Sequence, residues 1–215
     1  MKNTSMDYNK TFKSLKKNYP DAQCALIHDG AFQLLIATIL SAQCTDKRVN
    51  QVTPNLFKKY PTPKAMANAR LKSVETLIHS TGFYHNKAKN IISCSKVIVK
   101  DFNQKVPDNI KDLIKLSGVG RKTANVVLGT IFNKPEGIVV DTHVKRLALR
   151  FGWTKSSNPI MIEKELQKIT PIKYWIILSH WLILHGRALC KARSPKCKLC
   201  FLKKNCPYYS EIRLY

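Results

Sequence analysis

Apolar residues recur at helical spacing along almost the whole chain, and this periodicity constrains the fold more than any other feature. Leu34, Leu35, Thr38, Ile39 and Ala42 share one helix face, as do Ala88, Ile91, Ile92, Ser95 and Ile98. No segment combines two-residue alternation with a tight turn, as a β-hairpin would. Thr62-Pro63 and Val106-Pro107-Asp108 read as helix entries, with Pro or Asp where the first turn has spare N–H groups. Thr154 to Pro159 reads as a loop. The expected class is all-α, with about ten helices on short turns and a helical tail carrying four cysteines.

Charge narrows the partners. Lys and Arg total 37 against 13 Asp and Glu, a formal charge of +24, which points to a polyanion such as nucleic acid. An A·T-rich genome also favours lysine, so charge alone does not decide the matter. A basic surface suits anionic membranes too. However, no apolar stretch reaches the ~18 to 20 residues of a membrane span, and the longest, Trp175 to Leu184, is interrupted by Ser179 and His180. Met1 to Lys17 is polar and lacks a signal-peptide core, so a reducing cytoplasm is the expected compartment. Seven cysteines there are expected to remain unpaired by disulfides.

One interruption of the helical pattern is chemically specific. Leu113, Ile114 and Leu116 close one amphipathic stretch, Ser117-Gly118-Val119-Gly120 intervenes, and Ala124, Val126, Val127 and Leu128 carry the next. Glycines allow positive φ and leave a ligand free access to the backbone. The following helix N-terminus adds N–H groups and partial positive charge, so this hairpin can hold a phosphate without reading sequence. Arg121-Lys122 follows at once. On position alone, Lys122 reads as a phosphate-binding or merely solvated lysine. Asp141, ahead of Thr142-His143-Val144, reads equally as a helix cap.

These residues resemble a known family. Leu116 to Val127 (Leu-Ser-Gly-Val-Gly-Arg-Lys-Thr-Ala-Asn-Val-Val) is similar to the helix-hairpin-helix of endonuclease III-type DNA glycosylases. Val140 to Val144, Leu40 to Gln43 and His180 to Cys190 match further segments, so the resemblance runs from Phe32 to Cys206. It implies two helical domains, a continuous one over 23–134 and a second from 1–22 and 135–215, with a cleft between them. Lys122 would be the nucleophile, Asp141 its assistant, and double-stranded DNA with damaged bases or abasic sites the partner of a monomeric enzyme. Oxidised or ring-saturated pyrimidines would be released and the strand then broken by β-elimination. Gly118, Val119, Gly120 and Arg121 would hold backbone; Gln43 would fill the vacated stack and Phe83 would act as an apolar wedge. Ser117 stands where the family commonly has Pro, an exchange expected to loosen the hairpin. His143 is read as structural.

The chemistry sets a condition. An amine can displace a base from C1′ and form a Schiff base, but only about 0.04% of an ordinary lysine is neutral at pH 7. Lys122 is therefore expected to be at least partly buried, beside Arg121 and the positive end of a helix.

Cys190, Cys197, Cys200 and Cys206 follow the pattern Cys-x6-Cys-x2-Cys-x5-Cys, a strong metal-site signal. Spacing alone leaves zinc and iron-sulfur open. The family resemblance implies a [4Fe-4S] cluster that pins a cationic loop, with Lys191 and Arg193, against DNA. Within the fold, adenine-removing mismatch glycosylases are the nearest rivals, and they lack the lysine. A non-catalytic DNA-binding module and a ferredoxin-like carrier are the rivals of other classes.

Overall fold

The computed structural model of the protein describes residues 5–212. Within them are twelve α-helices and no strand. In chain order these are α1 (Tyr8–Asn18), α2 (Gly30–Leu40), α3 (Asp46–Lys59), α4 (Pro63–Ala67), α5 (Leu71–Ile78), α6 (Tyr84–Asp101), α7 (Ile110–Leu113), α8 (Arg121–Phe132), α9 (Thr142–Arg150), α10 (Pro159–Ile169), α11 (Trp175–Ala188) and α12 (Pro207–Ile212). The all-α expectation holds. None of these helices is long and apolar enough to cross a membrane.

The chain divides into two compact units, Cys24–Glu136 and Met1–Gln23 with Gly137–Tyr215. The continuous unit is built on α2, which is apolar on nearly every side: every residue from Leu34 to Leu40 is buried. Helices α3, α5, α6 and α8 bring Leu56, Val74, Ile91 and Val127 to the same core. In the discontinuous unit, α1 contributes Phe12 and Leu15 to a core containing Phe151, Trp153 and Trp181. Polar ends of the aromatics reinforce that join: the Trp153 indole N–H donates to Met6 O at 3.0 Å and that of Trp181 to Tyr19 O at 3.2 Å.

Local signals mostly act where expected. The Thr62 hydroxyl accepts from Ala65 N at 3.1 Å, with Pro63 opening α4. The second entry lies later than predicted. Asn109, not Pro107 or Asp108, caps α7, because its side chain accepts from Asp112 N at 3.0 Å. That helix is also a single turn, and Ile114 to Leu116 continue as irregular turns. The loop ends at Asn158, whose side chain accepts from Ile160 N, so Pro159 is the first helical residue. The cysteine tail is less helical than expected, with two short 3-10 turns, Cys197–Leu199 and Lys203–Asn205, before α12.

Candidate functional site

The hairpin between α7 and α8 divides its work among three residues. Gly118 has φ +79°, a left-handed conformation, and a Cβ there would sit 3.0 Å from Asn90 Cβ on α6. Gly120 is extended at φ −94° and caps α8; a Cβ there would meet nothing within 4 Å. Only the first glycine is needed for its dihedral, therefore, and the second leaves the face in front of the α8 N-terminus open. Val119 lies between them with its side chain buried and its N–H donated to Leu116 O at 3.1 Å, anchoring the turn from behind.

Ser117 does not leave the hairpin loose. Its hydroxyl lies 2.9 Å from that of Ser93 on α6, a tie that a proline could not make. This geometry separates two substitutions. Gly118→Ala is expected to lower unfolding free energy by about 1 to 3 kcal/mol, through an unfavourable φ and the Asn90 contact. Gly120→Ala is expected to cost less than about 1 kcal/mol yet weaken duplex binding, because a methyl then occupies the open face. Urea melts together with a binding titration distinguish the two.

Arg121 and Lys122 form the first turn of α8, and both are exposed. Partial burial of Lys122 was expected and is not observed. Lys122 follows Arg121 in the first turn of α8, two residues past Gly120, and its side chain reaches solvent.

Gln43 and Phe83 sit in the same unit on two separate loops. Both have left-handed backbones, at φ 52° and φ 49°, although neither is glycine. Gln43 is exposed just beyond the end of α2, and Phe83, the N-cap of α6, is 64% exposed. Phe83 thus holds a large aromatic side chain in solvent on a backbone that a side chain disfavours.

In the other unit, Asp141 caps α9: its Oδ1 accepts from Val144 N at 2.8 Å. His143 approaches Arg146, with Nδ1 3.1 Å from Nη2, and Arg146 also donates to the carbonyls of Gly186 and Cys190. A Cβ on Gly186 would come within 2.9 Å of Arg146 Nη2 and His143 Nδ1, so that glycine admits the arginine.

The four tail cysteines line one cavity together with Phe151 and His185. Among the described residues, no three His, Cys, Asp or Glu side chains converge on a point that could hold one metal ion. Burial pushes the Cys200 thiol up to about 11, reinforced by repulsion from Cys206, Cys190 and Cys197. Burial also pushes His185 down to about 4, which keeps it neutral. The Tyr19 hydroxyl lies 3.1 Å from its Nδ1, and its Nε2 is 3.5 Å from Cys200 Sγ. With the hydroxyl donating to Nδ1, Nε2 carries the proton and turns it toward sulfur.

Arg150 organises the loop after Cys190. Its Nη1 lies 3.2 Å from Cys190 Sγ and donates to Lys191 O at 2.7 Å, while Nη2 donates to Ala192 O at 3.1 Å. The guanidinium also stacks 4.2 Å from the Tyr208 ring. The loop's carbonyls are thus held to Arg150, and the Lys191 and Arg193 side chains are exposed. Sequence reasoning missed His185, Arg150 and Lys87 of α6. Lys87 had a signal, since it lies four residues before Ile91 on the apolar face of its helix.

Residues 36–171 match the family model for HhH-GPD superfamily base excision DNA repair proteins. The chain is 52% identical to Endonuclease III of Synechocystis sp. over 90% of its length and 88% of the relative's. The chain belongs to the endonuclease III family. Another family member, Endonuclease III of Escherichia coli K12, is 40% identical over 92% of this chain and 93% of its own. A solved non-covalent Endonuclease III–DNA complex superimposes with a TM-score of 0.91 at 42% identity, covering 97% of each chain. A trapped Endonuclease III–DNA covalent intermediate gives the same values. A thermostable thymine-DNA glycosylase, 23% identical with a TM-score of 0.82, shares the fold.

Proposed function

We propose that this chain is a bifunctional DNA glycosylase and abasic-site lyase acting on oxidised or ring-saturated pyrimidines in duplex DNA. The observation that carries the reading is Lys122, exposed two residues past the open face at Gly120, in a chain that matches endonuclease III along most of its length. The covalent DNA intermediate trapped in a 42% identical relative supports the same chemistry. In this reading Cys24–Glu136 is the helix-hairpin-helix domain and the discontinuous unit is the cluster domain.

The steps follow from an amine at that position. Lys122 Nζ bonds to C1′ of the damaged nucleotide as the glycosidic bond breaks, and the base departs with the electron pair and a proton. Nζ then gives up one proton, the C1′–O4′ bond breaks with its electron pair going to O4′, which takes a proton, and Nζ keeps its remaining hydrogen as the N–H of an iminium to C1′. That iminium acidifies C2′; loss of the C2′ proton expels the 3′ phosphate by β-elimination and cleaves the strand. Because the amine is exposed in the free protein, the DNA itself supplies the desolvation. Asp141 Oδ1 is committed to the helix cap, so Oδ2 is the oxygen that stabilises positive charge on the sugar or takes a proton.

The four tail cysteines fit a [4Fe-4S] cluster. Sulfurs arranged round a cavity suit a group with several metal atoms, each taking one thiolate, better than a single zinc ion that draws four sulfurs to about 2.3 Å. Buried, mutually repelling thiols ionise together only around a positively charged group. When bound, the cluster supplies a rigid cross-link beneath the loop bearing Lys191 and Arg193. Those side chains then meet phosphates.

Incubation with a duplex bearing an oxidised pyrimidine under borohydride tests the proposal. A covalent adduct mapping to Lys122 is expected; base release with no adduct excludes the Schiff base. Asp141→Asn tests the second role. Asparagine caps a helix as well as aspartate does, so the melting temperature should stay within a few degrees of wild type while turnover falls about 100-fold. Near-normal turnover would leave Asp141 as a cap alone.

A further inference from the structure

Two loops that share no sequence are joined by one buried lysine. Lys87, in the first turn of α6, is only 5% exposed. Its Nζ donates to Leu40 O and to Thr81 O, both at 2.8 Å. Leu40 is the last residue of α2, and Thr81 ends the 3-10 turn His79–Thr81. Carbonyls at helix ends lack intrahelical donors and carry the negative end of the helix dipole. An ammonium placed between two such ends is compensated without a carboxylate. Burial pulls its pKa below the usual lysine range.

What these helix ends lead into gives the contact its meaning. Gln43 follows Leu40 by three residues, and Phe83 follows Thr81 by two. Each adopts a left-handed backbone that a side chain disfavours, so neither loop holds its shape by local preference. The same lysine's backbone N–H donates to Phe83 O at 3.1 Å. We propose that Lys87 is a positioning residue for nucleotide extrusion: by clamping Leu40 O and Thr81 O it sets Gln43 and Phe83 at a fixed separation, so that amide and ring enter the duplex together. The proposal rests on the extrusion roles assigned to those two residues above. Lys87 touches neither the sugar nor the base.

Lys87→Met keeps the length and helix preference of the side chain and removes its donors; Lys87→Gln keeps an amide donor without the charge. Three readouts apply to each variant and to wild type: base release from a duplex containing an oxidised pyrimidine, borohydride trapping on a single-stranded abasic oligonucleotide, and fluorescence of 2-aminopurine placed beside the lesion. Trapping on the single strand needs no extrusion. The expected result is that the ratio of duplex to single-strand rate falls at least about tenfold in Lys87→Met, with a matching loss of the fluorescence rise. Phe83→Ala should then add less than about twofold in the Lys87→Met background, because an unclamped ring is already ineffective.

An unchanged ratio overturns the proposal, whether both rates fall together or neither falls. If both variants fail to fold, Lys87 is a stability residue and the proposal is likewise overturned. Absence of a trapped adduct in wild type counts against the Schiff-base reading instead. The fluorescence comparison decides the role of Lys87 independently, since it reports opening without chemistry.

Discussion

Lys122→Ala is expected to eliminate both the borohydride-trapped adduct and strand cleavage, a loss of at least about 1,000-fold, while the protein folds and binds duplex DNA with modest loss. The residue is exposed, so truncation leaves no cavity and no unpaired buried group. Loss of one cation near the backbone should reduce the salt dependence of binding by about one counterion and little more. This outcome separates the enzyme from a non-catalytic helix-hairpin-helix module, which would tolerate the change with only that salt-sensitive loss. Cleavage near the wild-type rate by Lys122→Ala would remove the nucleophile from the mechanism.

Cys200→Ser should have the second large effect, this time on stability. Cys200 lies where three ties meet: its sulfur accepts from Leu202 N at 3.4 Å, faces His185 Nε2 and shares a cavity with the other three cysteines. A structural metal group contributes on the order of 10 kcal/mol to folding at neutral pH. The variant is therefore expected to lose visible iron-sulfur absorbance and melt at least about 10 °C below wild type, with the discontinuous unit unfolding first. Metal analysis of the wild-type protein should give iron and sulfide, not a single zinc. Equal melting temperatures for variant and wild type would mean that the thiols carry no stabilising group.

The elements readable in the sequence were those written in scarce residues at fixed spacing. Four cysteines in seventeen residues and two glycines flanking Val119 stand out in any basic helical chain. Helix periodicity revealed the fold class because burial on one face leaves a repeating mark, as in α6. It revealed ends less well. Pro107 and Asp108 each suit a first turn, but Asn109 makes the actual cap, and the choice between adjacent candidates depends on packing. Lys87 and Arg150 were hidden for a different reason. Among 37 basic residues one lysine on an apolar face draws little notice, and an arginine whose acceptors lie 40 to 42 positions away leaves no local trace. Lys122 was expected to be partly buried because a reactive amine must be desolvated; in the proposed mechanism the substrate supplies that desolvation, and the sequence of the free protein carries no mark of it.

The arrangement along α6 also sets a length scale. Phe83 caps the helix, Lys87 clamps two loops, Asn90 packs at Gly118 and Ser93 meets Ser117, all on one rod. Ten residues of helix span about 15 Å, which at about 3.4 Å per nucleotide along a strand corresponds to roughly four nucleotides. The distance from Phe83 to the Gly118–Gly120 turn, the proposed wedge and phosphate contacts, is thus fixed before any DNA arrives. Oligonucleotides shorter than that ruler can engage one end or the other, and affinity should rise stepwise, not smoothly, as length first allows both.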